Sequence, residues 1–495
     1  MKTLLAVLLR CLAGLAGLAG LAGLTACTVG PNYRRPQIKV PSAYAEATAT
    51  APTAASGAAL ARWWGLFKDP TLTGLIDQAL ANNPDLQSAA SRVREARLQE
   101  IVSRAAGYPS VSASVNAITV HSNQGSSSRG SSGGGASGSG GGGGGSFTIP
   151  SNLNLYSVGF DATWELDLFG GTRRAVEAAK AHTQAAIWAR RDGEVSLSAE
   201  IANDYLALRE LQARIALAQT EVQQEQQLFT LIRQRRQIGF VTQLNVNQQT
   251  GNLESAAAQI PALQTQARGE IHALGVLLGE PPEALEQRLG TAAALPAALP
   301  ALPLGLPSEL LRRRPDVREA ERRLAASNAQ IGVQVASLYP KFNLIGLGAF
   351  AGTSLGSLFS ARNLVGAAVA MISEPLFDAG RRRASVNIAR EETAQAALAY
   401  RKAVLGALRD VEDALSRYRS EQASHASLQR SVDATRSSLN IAQDEYKTGF
   451  VTFINVLQAR DALLRLQDQL TQSDERLLSD LVALYKALGG GWSSS

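Results

Sequence analysis

The sequence contains few of the residue types that build enzymatic or metal sites. Its 495 residues include two cysteines, two methionines and four histidines, and aromatic residues make up only 5%. No nucleophile–base pairing or phosphate-binding loop is visible, because the glycine run at 140–145 lacks the lysine and the serine or threonine that such a loop requires. The histidines are scattered without ligand spacing: His121, His182, His272 and His425. We therefore expect no catalytic residue, no metal and no cofactor, and we do not expect an enzyme.

Strong charge and long hydrophobic runs are also scarce. The formal net charge is only +6, and no cluster combines aromatic with basic side chains, which disfavours nucleic-acid binding. Beyond the N-terminus, no stretch reaches the roughly 20 apolar residues that a membrane-spanning helix needs. Alanine, glutamine, glutamate, arginine and leucine instead fill long stretches, and this composition is typical of helical coiled coils.

The N-terminus has the pattern of a bacterial secretory signal. Residues 1–26 combine Lys2 and Arg10 with a leucine-, alanine- and glycine-rich run, and we interpret them as a signal peptide. The run ends in the sequence LTAC, which resembles a lipobox and makes Cys27 the candidate lipidation site. A plain cleavage site is the alternative. Because Cys27 is the only cysteine outside the signal, no disulfide can form within one mature chain.

The mature chain consists of two similar halves. The Pro-Asp pair at Pro84 recurs at Pro315, an offset of 231 (315 − 84), and the Leu-Phe pair at Leu168 recurs at Leu376, an offset of 208 (376 − 168). The first copy is therefore longer by about 23 residues (231 − 208), and a Gly/Ser-rich insertion at 124–146 supplies almost that length. We interpret this repeat as the duplication of one large unit.

These landmarks predict the organisation of the chain. Within each repeat we expect helices, a β-hairpin (108–168 and 339–376) and a long helical hairpin. The predicted segments are a lipidated N-terminal linker at 27–70, a first repeat at 71–279, an inter-repeat linker at 280–305, a second repeat at 306–489 and a C-terminal tail at 490–495.

The strand patterns favour a membrane β-barrel. Residues 156–168 alternate between an apolar and a polar face over a dozen positions, and this pattern fits a barrel wall with a wet interior. A half-buried strand of a soluble sheet is the alternative, but the chain offers no other sheet to pack against. Four strands cannot close a barrel, and open edges are not tolerated in lipid. Several chains must therefore each contribute four strands.

The helices that follow the strands are predicted to be unusually long. No proline interrupts the stretch from Thr172 to about Ile238 or that from Arg381 to about Thr448, so each helix would span roughly 95–100 Å. Each ends at a Gly-Phe-Val-Thr motif, where the glycine suits a helix C-cap and the threonine suits the next N-cap. Lengths of this kind predict coiled coils.

Taken together, the motifs resemble the outer-membrane efflux factors of the TolC/NodT type over nearly all of the mature chain. The resemblance rests on the sequences CTVGPNY, RPDVREAERRLAASNAQIGVQVASLYP, EPLFDAGRRRASV and YKTGFVTFINVLQAR. It implies an α+β fold in which three chains close a twelve-stranded outer-membrane barrel, continued by a periplasmic α-helical coiled-coil barrel. It also implies a passive exit duct for drugs or other small solutes. The partners would be a periplasmic adaptor (membrane fusion) protein and an inner-membrane transporter of the RND type.

The resemblance further implies roles for residues at the helical tips. The adaptor would dock at the two tips, and the repeated Asn-Val-x-Gln beyond each tip favours docking over a plain helix–helix turn. Ile454 falls on the apolar gate position, whereas Gln458 replaces a frequent aspartate, which puts a cation-binding ring in doubt. Tyr446 and Lys447 would latch neighbouring helices, with a solvated helix face as the alternative. The tip residues are Gly239, Phe240, Val241 and Thr242, and Gly449, Phe450, Val451 and Thr452.

Several alternatives stay open at the level of sequence. Three interpretations are open for the arginines that follow the strands, at 173–174 and 381–383. They contact lipid headgroups, line the tunnel, or belong to an ordinary helix surface. A duct for type I protein secretion would use the same fold. A structural coiled-coil lipoprotein without a pore is the alternative from a different class. By resemblance to other lipoproteins, Thr28 after the cysteine favours delivery to the outer membrane.

Overall fold

The computed structural model describes residues 28–46, 60–121, 152–296 and 312–493. The predicted signal peptide at 1–26, Cys27, the predicted insertion at 124–146 and residues 297–305 of the inter-repeat linker lie outside these ranges. The chain divides into two compact units. The first comprises residues up to Tyr33, Gln99–Ala179 and Ser327–Glu392, and the second comprises Arg34–Leu98, Lys180–Ala326 and the chain from Thr393 onward.

The first unit contains one four-stranded antiparallel sheet. Its order β1-β2-β3-β4 follows the sequence. The sheet packs on no second layer within the described residues, and side chains such as Val115 (77% exposed) and Phe160 (64% exposed) project from it. The strands are β1 (Ser110–His121), β2 (Asn152–Leu166), β3 (Lys341–Gly352) and β4 (Leu364–Ser373).

Seven helices of eight or more residues occur in the described ranges. The two longest have 67 and 68 residues, as the absence of proline predicts. No helix in the described ranges has the combination of length and apolar character needed to cross a membrane. The helices are α1 (Pro70–Asn82), α2 (Pro84–Ala105), α3 (Gly171–Gln237), α4 (Gln243–Leu277), α5 (Pro315–Ala336), α6 (Arg381–Thr448) and α7 (Phe453–Ala487).

The second unit has an aromatic core in a segment that was predicted to be a linker. A 3-10 helix, Trp63–Phe67, buries Trp63, Trp64 and Phe67. The Trp63 ring stacks on Tyr485 of α7 with 5.4 Å between the centroids. The prediction of a linker over residues 27–70 therefore does not hold for residues 63–67, because these buried aromatic rings form part of a folded core.

The structure also corrects the alignment of the two repeats. Ser110 pairs with Thr163 in the first hairpin, and Lys341 pairs with Ser373 in the second. The offset is 231 for the first strands (341 − 110) and 210 for the second strands (373 − 163). The long helices also begin 210 residues apart (381 − 171). The offset of 208 given by the Leu-Phe pairs is therefore two residues smaller than the offset in the structure. The first copy is longer than the second by 21 residues (231 − 210).

Candidate functional site

Both long helices end in the same glycine turn. Gly239 and Gly449 have positive φ angles of 80° and 82°. The Phe240 backbone N–H donates to the Arg235 carbonyl at 2.9 Å, and the Phe450 N–H donates to the Glu445 carbonyl at 2.9 Å. This six-to-one hydrogen bond is the Schellman arrangement, in which a glycine adopts the left-handed conformation that other residues disfavour.

The residue three positions beyond each threonine belongs to the same turn. Asn245 Oδ1 accepts from the Thr242 N–H at 3.1 Å and from the Thr242 hydroxyl at 2.8 Å. Asn455 Oδ1 lies 2.8 Å from the Thr452 hydroxyl. At the first tip Asn245 and Thr242 therefore form a reciprocal capping box at the start of the returning helix, so the asparagine has a role in the turn itself. The repeated asparagine no longer favours docking over a turn.

The side chains that remain available at the tips are mainly apolar. Phe240 is 78% exposed and Phe450 is 84% exposed. Ile454, at the predicted gate position, is exposed, and so is Gln458. An apolar residue is common directly after the glycine of a Schellman turn, but both phenylalanine rings remain in solvent instead of packing on their own helix.

Tyr446 connects the two helical hairpins near the tips. Its hydroxyl accepts a hydrogen bond from Arg235 of α3, whose guanidinium lies 5.3 Å from the Tyr446 ring centroid. The same ring contacts Phe453 with 5.3 Å between centroids. Lys447 instead pairs with Asp444 of its own helix at 2.9 Å. The structure thus brings Tyr446, but not Lys447, to the neighbouring hairpin within the chain.

Two further ion pairs join the hairpins, and neither was predicted from the sequence. Arg460 of α7 pairs with the buried Glu225 of α3, and Gln249 of α4 also donates to that carboxylate. Arg214 of α3 pairs with Asp468 of α7 at 2.6 Å. The Arg460–Glu225 pair is largely buried and holds its helices in one arrangement, because separating it would leave an uncompensated charge.

The first strand-to-helix joint, residues 167–174, is built around two arginines. Asp167 accepts hydrogen bonds from the backbone N–H and the side chain of Arg173, at 3.0 and 3.2 Å. The Arg174 side chain is only 4% exposed and pairs with Glu177 at 2.7 Å. It also donates to the carbonyls of Val29 and Gly30 and, at 2.7 Å, to Asn32 Oδ1. The N-terminal segment 28–33 is therefore fixed across this joint.

The second joint, residues 374–382, uses one arginine in a similar way. Arg382 pairs with Asp378 at 2.8 Å and with Glu374 at 2.9 Å. The hydrogen bonds from Arg382 hold the pKa of the Asp378 carboxyl below its usual range. Arg173, Arg174 and Arg382 thus serve local structure, while Arg381 and Arg383 are exposed.

The sequence belongs to a known protein family. Residues 75–280 and 306–490 match the family described as Outer membrane efflux protein. This chain is an outer membrane efflux protein.

Individual relatives support the same assignment. The pyoverdine export outer membrane protein OpmQ of Pseudomonas putida is 32% identical over 448 residues, which cover 90% of this chain and 91% of that protein. The cation efflux system protein CusC of Escherichia coli O6:H1 is 29% identical over 468 residues, covering 94% and 96%. The solved structure of the outer-membrane channel OprN has a TM-score of 0.84 and 34% identity, and the match covers 94% of this chain and all of that one.

These similarities confirm the predicted family, the α+β channel fold and the location in the outer membrane. The relatives are channel and export proteins. The efflux protein accordingly acts as the outer-membrane channel of an efflux pump.

Proposed function

We propose that this efflux protein assembles as a trimer and forms a passive exit duct. The observation that carries the proposal is the four-stranded sheet, whose outer edges, β1 and β4, are unpaired within the described residues. In lipid such edges must be closed, because no water is present to bond the free backbone groups. Three copies would supply twelve strands, which lies within the range of known membrane barrels.

Cys27 is the proposed lipid anchor of each copy. It lies outside the described residues, but its neighbour Thr28 is fixed against Gly170, where an added Cβ would come within 2.8 Å of the threonine. The Val29 N–H also donates to the Phe169 carbonyl at 3.1 Å. Acyl chains on Cys27 would therefore start beside the end of β2, the strand that we assign to the barrel wall.

The helical tips are the proposed gate and docking site. Three copies of Ile454 would form an apolar ring, and the hydrogen bond from Arg235 to Tyr446 would hold the two hairpins of each chain in the closed arrangement. Lys447 stays in the proposal only as a contact to a neighbouring copy, since its partner in the chain is local. The exposed Phe240 and Phe450 offer anchors for the periplasmic adaptor.

The pump partners and the solute follow from the relatives only in outline. An adaptor and an inner-membrane transporter of the RND type would complete the pump. Relatives are named for export of pyoverdine, for cation efflux and for antibiotic efflux. We therefore propose small solutes as the cargo and assign the choice among them to the transporter. No observation favours protein secretion or a structural lipoprotein without a pore.

Planar-bilayer conductance of the purified mature protein tests this proposal. We expect wild type to open rarely, and we expect Tyr446→Phe and Ile454→Ala to raise the open-channel current several-fold. Tyr446→Phe removes only the hydroxyl that Arg235 binds. Arg436→Ala is the matched control, because Arg436 is exposed and pairs with Asp433 on its own helix at 3.4 Å. No conductance in any variant, from a particle that contains three chains, would exclude the duct.

A further inference from the structure

We infer that β4 of one copy pairs with β1 of the next in one defined register, with Ala370 opposite Ala117 of the next copy. This inference rests on the proposed trimer and goes beyond it, because it fixes which residues meet. The partner of each open edge is a second copy of this chain. All four strands belong to the first unit.

The repeat supplies a template for the contact between copies. The two hairpins have equivalent internal registers when the first strands are offset by 231 and the second strands by 210. Within the chain, the second strand of repeat one, β2, pairs with the first strand of repeat two, β3, and Phe160 lies opposite Gly348. The position equivalent to Phe160 in the second repeat is Ala370 (160 + 210), and the position equivalent to Gly348 in the first repeat is Ala117 (348 − 231). The same pairing between copies therefore places Ala370 opposite Ala117 of the next copy.

The two faces of the sheet agree with this register. Phe160, Ala162 and Trp164 lie on one face of the sheet. Through the pairing of β2 with β3 and of β3 with β4, Ala370 and Ile372 lie on the same face. Pairing of β1 with β2 carries the same face to Ala113, Val115 and Ala117. The inferred register joins these residues face to face across the boundary, whereas a slip of one residue would mix the two faces.

The strand ends are consistent with the same register. In β2, Thr163 is the last residue that pairs with β1. The strand continues for three more residues, to Leu166, because these residues pair with β3. β4 ends at Ser373, the counterpart of Thr163, and Leu376, the counterpart of Leu166, is 97% exposed. Continued to this point, the register sets Leu376 opposite Val111 of the next copy, which is also exposed in the single chain. The register would place these two side chains next to each other on the same face of the sheet.

One competing register follows from the sequence itself. If the Leu-Phe pairs set the alignment, the offset becomes 208, and Ala368 instead of Ala370 faces Ala117 of the next copy (160 + 208). The two registers differ by two residues and preserve the faces. Only a measurement of which residues meet separates them.

Disulfide cross-linking of the full-length mature protein in outer membranes tests the register. The variant Ala117→Cys with Ala370→Cys should form covalent trimers on mild oxidation, several-fold more than Ala117→Cys with Ala368→Cys. Cross-links within one chain are excluded, because β1 and β4 are three strand spacings apart, about 14 Å, beyond the reach of a disulfide. Each single-cysteine variant controls for pairing with Cys27, which is the only native cysteine outside the signal.

The outcomes separate the register from the trimer. Cross-linking by the 117/368 pair would overturn the inferred register and leave the trimer standing. The register is likewise overturned if neither pair reacts while native mass spectrometry in detergent shows three chains. If neither pair reacts and only monomers are found, the register and the proposed trimer both fail. Covalent ladders longer than three chains would contradict a closed ring.

Discussion

The two strand-to-helix joints arise from one duplicated unit but have different surroundings. The first joint lies under the N-terminal segment, and Arg174 is buried there against the carbonyls of Val29 and Gly30. The second joint has no such cover among the described residues, and Leu376 and Phe377 are 97% and 89% exposed. Because the chain has only one N-terminus, only one of the two copies can receive this cover.

The residues around the joints have diverged accordingly. With the offset of 210, the counterpart of Arg174 is Ala384, which has no segment to bind. Gly332 of α5 lies so close to Arg174 that an added Cβ would approach its Cγ to 2.7 Å. Its counterpart in α2 is Ile101 (332 − 231), which is exposed. Within the described residues, the N-terminal segment therefore stabilises the first joint and not the second.

Breaking the first joint should have the largest effect. Arg174→Ala leaves two carbonyls, Asn32 and Glu177 without their donor, and we expect a loss of about 3 kcal/mol of stability. Arg382→Ala at the second joint, whose ion pairs are more open to solvent, should lower the stability by less than Arg174→Ala does. Thermal unfolding in detergent measures both, and trypsin cleavage after Arg34 reports release of the N-terminal segment.

The trypsin result distinguishes loss of docking from general instability. Arg174→Ala should be cleaved much faster than wild type at temperatures well below unfolding, whereas Arg382→Ala should be cleaved at the wild-type rate. Equal destabilisation by the two substitutions, or equal cleavage, would show that the joints do not differ in the way that the N-terminal segment implies.

The helical tips permit a subtler comparison of the same kind. Asn245 accepts from both the N–H and the hydroxyl of Thr242, whereas the hydrogen bond at Asn455 involves the hydroxyl of Thr452. Asn245→Ala should therefore cost about 1 kcal/mol of local stability, and Asn455→Ala about half of that. Hydrogen exchange of the backbone amides at each tip measures the difference, with the exposed Gln248→Ala as control. A larger rise in exchange for Asn455→Ala than for Asn245→Ala would contradict the comparison.

Local patterns allowed much of this architecture to be predicted. The absence of proline predicted the ends of α3 and α6 to within one residue. The glycine and the threonine of each tip predicted the turn between the helices. Alternation predicted β2, since a strand with one apolar face has a period of two. These features depend on neighbours within a few positions, so the sequence displays them directly.

Features that depend on distant pairing were not predicted. The contact of Arg235 with Tyr446 joins residues 211 positions apart, and nothing in either local sequence marks the partner. Trp63 was assigned to a linker because the helix that buries it lies more than 400 residues later in the chain, at Tyr485 (485 − 63). The alignment by the identical Leu-Phe pairs is two residues off, because only the sheet shows the hydrogen-bond register of the strands that precede them.

The smallest expected effect concerns the returning helices, where α7 has Glu475 and α4 has Thr265 (475 − 210). The Thr265 hydroxyl donates to the Pro261 carbonyl of its own helix at 2.9 Å. Burial raises the pKa of Glu475 to about 7, and the nearby carboxylate of Glu210 adds to the rise, while Arg476 opposes it. The second hairpin therefore contains a group that is neutral at pH 5 and charged at pH 8.

The sign of the pH dependence follows from this raised pKa. The pKa of Glu475 is near 4.5 in the unfolded chain and about 7 in the folded protein. Between these two pH values the folded protein therefore binds a proton that the unfolded chain has lost. Stability contributed by the neutral form is complete below 4.5 and is lost as the pH rises through 7. Glu475→Gln, which stays neutral, should thus match wild type near pH 5 and unfold roughly 1–2 °C higher at pH 8. Glu254→Gln, at an exposed position of α4, controls for loss of a negative charge. A gain for Glu475→Gln that is the same at both pH values would place the carboxylate in water and remove this difference between the two hairpins.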